Sequence, residues 1–297
     1  MRITTLLTTA TFALLTGCAT VDTHGQPTLN TTSAANLEKL TTILDAKDPK
    51  VKARYNARHP AETLAFFEIE PGMTVVEALP GGGWYTKILS PYIGNKGTVI
   101  GVDYALDMWP EFGGFADEAF IEKKKTWPTD WVEGTKQWNT QAGANIQAFT
   151  FGNRNTDMDG KVDSVLFIRA LHNLARFEDK GGFLTGAIAD TFAMLKPGGT
   201  VGIVQHTAPE NNDDAWANGS NGYLKQSAVI TAFQTAGFEL KAKSDINANP
   251  KDQPTTDDMV WRLPPTLGTS ADNPELKAKM EAIGESNRMT LLFQKPM

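Results

Sequence analysis

Apolar positions first recur at helical spacing at the start of the chain. Leu37, Leu40 and Leu44 share one face of a helix that begins near Ser33. A second helix is predicted over residues 60–67, with Pro60 in the first turn, where a missing N–H does no harm. From residue 74 the pattern alternates. Short β-rich apolar runs at 74–79, 97–102, 145–151, 162–168 and 200–204 read as strands, and helical stretches fall at 84–93, 182–195 and 224–236. Such alternation predicts a parallel sheet with helices on both faces. Two further strands fit residues 239–244 and 289–294. The stretch 109–143 is long for a connection and carries Trp109, Trp127, Trp131 and Trp138. It predicts added helix or a lid, or tryptophans that simply cover the sheet edge. Residues 18–35, rich in Thr, Gly, Asn and Ala, lack periodicity and read as a flexible tether. No internal repeat is evident.

Composition adds limits. The chain has 297 residues, 41% hydrophobic and 21% charged, which predicts a packed core. Its net charge of -6 argues against a nucleic-acid partner, which would call for a basic surface. The run Lys123-Lys124-Lys125 reads as a solvated helix face. At the N-terminus, Arg2 and a threonine-interrupted apolar stretch over 3–15 fall short of the ~20 residues that span a bilayer and predict an export signal. Leu15-Thr16-Gly17-Cys18 resembles a bacterial lipobox, which implies cleavage after residue 17 and a lipid anchor on Cys18. An ordinary signal peptide with an incidental cysteine is the alternative. Loss of residues 1–17 removes Arg2 and takes the charge from -6 to -7. Ala19 after the cysteine implies the outer membrane, so a periplasmic lipoprotein is expected. Cys18 is the only cysteine, so no intrachain disulfide can form.

The candidate chemistry gathers where predicted strands end. Pro80-Gly81-Gly82-Gly83 joins the first strand to a helix, and glycines there allow positive φ and close approach of a ligand to the backbone. The helix start offers free N–H groups, and in open α/β sheets this edge is where nucleotides bind. Asp103 ends the second strand. Its carboxylate can accept both hydroxyls of a ribose, or cap a helix; NAD enzymes use the same geometry. His172 follows the fourth strand and His206 ends the fifth, so two imidazoles are expected near the same edge, as a general base or as structural histidines. No clustered ligand spacing supports a metal site. Tyr55, Arg58 and His59 precede the first strand and would contact substrate or pack a helix. Trp261-Arg262-Leu263-Pro264-Pro265 is stiffened by two prolines and would form a flap or lie on the surface.

Several segments resemble class I S-adenosylmethionine-dependent methyltransferases. Leu195-Lys196-Pro197-Gly198-Gly199 is similar to their turn before strand five. Residues 163–168 with Arg169-Ala170-Leu171-His172-Asn173 resemble their fourth strand and its exit. The Gly237-Phe238 turn and the closing strand resemble their terminal antiparallel hairpin, an ending unusual for a dinucleotide dehydrogenase. Arg58-His59-Pro60, residues 80–86, residues 244–252, residues 261–265 and Glu285-Ser286-Asn287-Arg288-Met289-Thr290 resemble exported bacterial proteins known as predicted methyltransferases, from about residue 50 to the end. The resemblance implies a Rossmann-like domain over 36–297, with a mostly parallel seven-stranded sheet, a C-terminal antiparallel hairpin and helices on both faces. It implies S-adenosylmethionine as cofactor, held by Glu77, Gly81, Gly83, Trp84, Asp103 and Arg169. His172 and Tyr55 are then the catalytic candidates, with Arg58, His59 and His206 toward a small-molecule acceptor. Glu77 would hold the loop and the ligand's amino end, or be a buried carboxylate bonded to glycine N–H groups. The family's loop pattern, Glu/Asp-x-Gly-x-Gly-x-Gly, is broken by Leu79 in the first glycine position, and Asn153 stands where an acidic residue is usual after strand three. A non-catalytic ligand-binding lipoprotein on the same scaffold is the second reading, and an NAD-type oxidoreductase the third.

Overall fold

The computed structural model describes residues 32–270 and 272–297. The export signal, Cys18 and most of the tether lie outside the described residues. The first helix, Ala34–Asp45, begins inside the segment expected to be tether, because the Ser33 side chain accepts from the Asn36 N–H at 3.2 Å and caps it.

Eight strands follow: β1 (Thr74–Ala78), β2 (Thr98–Asp103), β3 (Asn145–Thr150), β4 (Val162–Ile168), β5 (Leu195–Ala208), β6 (Leu224–Lys225), β7 (Glu239–Ser244) and β8 (Arg288–Gln294). Seven form the order β3-β2-β1-β4-β5-β8-β7. Pairing is parallel from β3 through β5, and β8 runs antiparallel to both β5 and β7. This is the Rossmann-like architecture expected, a parallel sheet closed by an antiparallel pair. One addition was not foreseen: the two-residue β6 extends the sheet beside the end of β5. β5 also outruns its predicted span. Leu195 pairs with Val162 at one end, and Gln205 and His206 pair with Met289 and Arg288 at the other.

The period of two sorts the strands' side chains onto two cores. Val76, Val165, Val201 and Phe293 pack on one face, and Val75, Leu166, Val204 and Leu292 on the other. Helices cover both faces, among them Pro60–Phe66, Thr86–Ile93, Phe183–Met194 and Gln226–Thr235. Glycine appears mid-strand where a ring needs the room. A Cβ on Gly101 would sit 2.7 Å from the Trp131 indole, and one on Gly202 2.5 Å from the Phe67 ring.

The tryptophan-rich stretch folds as a 3-10 turn, Leu106–Phe112, and two helices, Glu118–Lys125 and Trp127–Thr135. Trp131 packs its indole over Gly101 of β2, the strand next to the β3 edge, and so covers the face of the sheet there. The lysine run is a correction. Lys123 and Lys125 are exposed, but Lys124 turns inward. Its Nζ lies 4.0 Å from the centre of the Trp109 ring and 2.8 Å from Asp103 Oδ2.

Candidate functional site

β1 ends at Ala78, and the backbone then bends sharply. Leu79 has φ +55°, Gly81 +53° and Gly83 +73°. The first glycine expected in the loop is therefore replaced by a leucine that still takes a left-handed backbone. Leucine adopts that shape at a cost of about 1–2 kcal/mol. Gly83 N–H donates to the Pro80 carbonyl at 2.8 Å, closing the turn before the helix Thr86–Ile93. A Cβ on Gly81 or Gly82 would meet nothing within 4 Å. Gly81 is thus required by its φ and not by crowding within the chain. Beside Gly82 and Trp84 opens a cleft of about 760 Å³, which Lys87 and Trp138 also line.

Glu77 points from β1 toward that helix and is buried. It accepts from the Thr86 hydroxyl at 2.6 Å, a partner in place of the expected glycine N–H groups. Burial pushes its carboxyl up to about 8, against a smaller downward pull from that bond. At neutral pH it is largely the protonated acid.

Asp103 ends β2 as expected and caps no helix; its partner is Lys124. Burial raises its pKa, with Lys124 pulling the other way. Past β3, Gly152 N–H donates to Asp190 and Arg154 pairs with Asp190 and Asp159. Asn153 lines a cavity of about 390 Å³ with Leu106 and Asp107.

β4 and β5 bring the two histidines together, with ring centres 5.5 Å apart. Both are buried. Gln205 Nε2 donates to the Gly222 carbonyl at 3.0 Å, which turns its Oε1 toward His172 Nδ1 at 3.4 Å. That acceptor places the proton on Nδ1 and leaves Nε2 as the basic nitrogen. Burial depresses His172 to about 4, helped by Arg169 and Arg176. His206 shares a hydrogen bond with Ser286 at 2.5 Å, and burial, His172 and nearby arginines hold it well below its ordinary value. Both rings are neutral at pH 7. Trp261 meets His172 edge-on at 6.0 Å. Arg262 is buried beside it, bonded to Asp252 at 2.9 Å and Asp258 at 2.8 Å. The segment thus sets Trp261 against His172 and buries Arg262 and Leu263, while Pro265 stays exposed.

The residues ahead of β1 divide. Tyr55 donates its hydroxyl to the Leu44 carbonyl at 3.0 Å and sets its ring edge-on to Trp84. This anchors helices and leaves the hydroxyl away from the histidines' hydrogen bonds. Arg58 stacks over Trp84 at 4.8 Å and bonds Glu285 at 3.3 Å. His59 has φ +40° and a buried Nδ1 with no partner among the described residues. Arg169, at φ +59°, follows β4 and is lowered to about 10 by burial and by Arg58. Glu285 also pairs with Arg54 at 2.8 Å and Arg288 at 3.1 Å.

Sequence reasoning missed Lys124, Thr86, Gln205, Ser286, Glu285 and Arg288 as members of this site. The signal that could have found them is that Arg58-His59-Pro60 and residues 285–290 both belong to the segments that carry the resemblance, and the two are in contact through Arg58 and Glu285. Among the described residues no group of three or more His, Cys, Asp or Glu could hold a metal ion.

No family model matches the chain, and no curated protein does. Solved structures do. A SAM-dependent methyltransferase from Aquifex aeolicus is 17% identical, with 70% of this chain and 93% of that chain covered, at a TM-score of 0.45. The complex of the Haloferax volcanii Trm112 methyltransferase activator with a putative methyltransferase matches at 16% identity, over 88% and 97%, at 0.48. The [4+2]-cyclase SpnF matches at 14% identity, over 92% and 99%, at 0.46.

Proposed function

We propose that the protein is an S-adenosylmethionine-dependent methyltransferase acting on a small-molecule acceptor. The observation that carries this reading is the pairing of two features on one sheet edge. A left-handed turn over 79–83 leads from β1 into a helix, and the Asp103 carboxylate stands at the end of the adjacent β2. The antiparallel β8 favours this cofactor over a dinucleotide.

The residues present fit the group. The turn over Gly81–Gly83 offers backbone to the methionine portion, Asp103 offers carboxylate oxygens to a ribose, and Asn153 lies on the neighbouring loop. Bound there, the cofactor supplies an electrophilic methyl on a sulfonium. The chain's part is alignment of donor and acceptor under a cover that excludes water. His172 Nε2 is the candidate to receive an acceptor proton, since its Nδ1 proton is held by Gln205. With its pKa near 4 it is a weak base, suited to an acceptor that loses its proton readily.

The non-catalytic reading draws on one observation, the Lys124 ion pair that already engages Asp103. Calorimetry on the intact chain separates the two. Saturable binding of S-adenosylhomocysteine, weakened by at least about tenfold in Asp103→Ala, is the expected result. Absence of binding by either the methyl donor or its product at millimolar concentration sinks the cofactor assignment. Binding without methyl transfer to any acceptor in a small-molecule panel favours the second reading.

A further inference from the structure

Four guanidinium groups, those of Arg54, Arg58, Arg169 and Arg288, converge on the C-terminal edge of β4 and β5. A single carboxylate, Glu285, joins three of them. Arg169 interacts electrostatically with Arg58, Arg288 and Glu285 but ion-pairs with none of the described residues. Four positive charges against one negative leave an excess of three. The neighbouring histidines are neutral and offset nothing. Arg58 is 6% exposed and Arg288 4%, while Arg54 and Arg169 are half-buried, so the excess is partly withdrawn from solvent. Uncompensated charge in such a place favours a counter-ion.

The hydrogen-bond count points the same way. Arg54 Nη2, Arg169 Nε and Arg288 Nε are buried and have no partner among the described residues. All three are donors only, so the group calls for an acceptor carrying negative charge. The backbone is also held in an uncommon shape here. Arg169 and His59, the neighbour of Arg58, both have positive φ. Strain of this kind gathers at ligand sites. Arg169 is kept in place by its own N–H, which donates to the Val204 carbonyl at 2.6 Å.

We propose that Arg58, Arg169 and Arg288 bind an oxyanion, a carboxylate or phosphate carried by the methyl acceptor. In naming the acceptor as carrier, this rests on the methyltransferase reading; the anion site does not. Position favours the acceptor over the cofactor's own carboxylate. Arg288 pairs across from His206 on β8, four strand steps from Asp103 on β2. At about 4.8 Å per step that is roughly 19 Å for Arg288 and roughly 10 Å for Arg169, which follows β4, both on the far side of the glycine turn from the ribose end.

The test uses the intact chain with inorganic phosphate and acetate as probes, at constant ionic strength against chloride. Phosphate or acetate is expected to bind saturably and raise the melting temperature, with and without saturating S-adenosylhomocysteine. Arg169→Gln should weaken that binding at least about tenfold, both without S-adenosylhomocysteine and with it saturating. Because Arg169 has no ion partner to strand, the variant should fold, and Arg169→Lys, which keeps the charge but loses the fork, should show an intermediate loss. No binding of either probe overturns the site. Competition between phosphate and S-adenosylhomocysteine, with Arg169→Gln reducing affinity for the latter, gives the site to the cofactor's carboxylate and overturns the assignment to the acceptor. Phosphate binding that needs Arg169, in a chain that never binds S-adenosylhomocysteine, supports the anion site and removes only the methyltransferase reading.

Discussion

Glu77 is a carboxyl group held as the neutral acid by burial, with one hydroxyl partner. In the unfolded chain it loses its proton near 4.5, and in the folded chain near 8. Between these values the folded state binds more protons, so stability falls as pH rises from about 4.5 to 8 and then levels off. Glu77→Gln keeps the shape and cannot ionise. It should unfold with a flatter pH dependence and exceed the parent by roughly 2–5 kcal/mol at pH 9. Urea unfolding at pH 5 and pH 9 measures this, and parallel curves for the two proteins would refute it. The acidic residue at this position was legible in the sequence, because strand periodicity and the following glycines marked the loop. Its protonation was not, since it depends on Thr86 and on how tightly the helix closes over β1.

The helix Glu118–Lys125 shows where a pattern of residues fails as a guide. Three consecutive lysines span nearly a full turn, so one of them has to face whatever the helix packs on. That one is Lys124, its ammonium over the Trp109 and Phe120 rings and on Asp103. Removing it strands a carboxylate that is 6% exposed. Lys124→Met should destabilise the protein by roughly 1–3 kcal/mol, whereas Lys123→Met and Lys125→Met should stay within about 0.5 kcal/mol. The Lys125–Glu122 pair is fully at the surface, and its loss weighs little. Chemical denaturation of the three variants decides the matter; equal effects would return the run to a solvated face. The strands, by contrast, were readable to within a residue at either end, except β5, which runs longer, and the short β6, which was missed. Their apolar runs face two cores, and a slip of one position would exchange them.

Across the whole molecule, the sheet was legible from its alternation and the layer above it was not. That layer is assembled from pieces far apart in the chain. Asn247 bonds Thr63 at 3.0 Å and Thr290 at 3.1 Å. Asp252 accepts from Tyr223 at 3.1 Å and from the Asn287 N–H at 2.9 Å. Glu285 receives Arg54 from 231 residues away. Local periodicity holds no record of such contacts; only the recurrence of unusual segments hinted that they share a place. Glu285 is the tie between the N-terminal helices and the closing strand. Burial raises its pKa, but Arg58, Arg288 and Arg54 outweigh this and hold it below the usual carboxylate value. Its contribution is therefore present above about pH 4.5 and is lost as pH falls through the lower folded value. Glu285→Gln removes the only carboxylate among four guanidinium groups. A loss of about 3–5 kcal/mol at pH 7 is expected, near 10 °C in melting temperature for a domain of this size, together with a shallower acid limb. Thermal melts from pH 3 to pH 7 read both effects at once. An unchanged melting temperature at pH 7 would mean that the layer is held by its apolar contacts and neutral hydrogen bonds, with the ion cluster contributing nothing to its attachment.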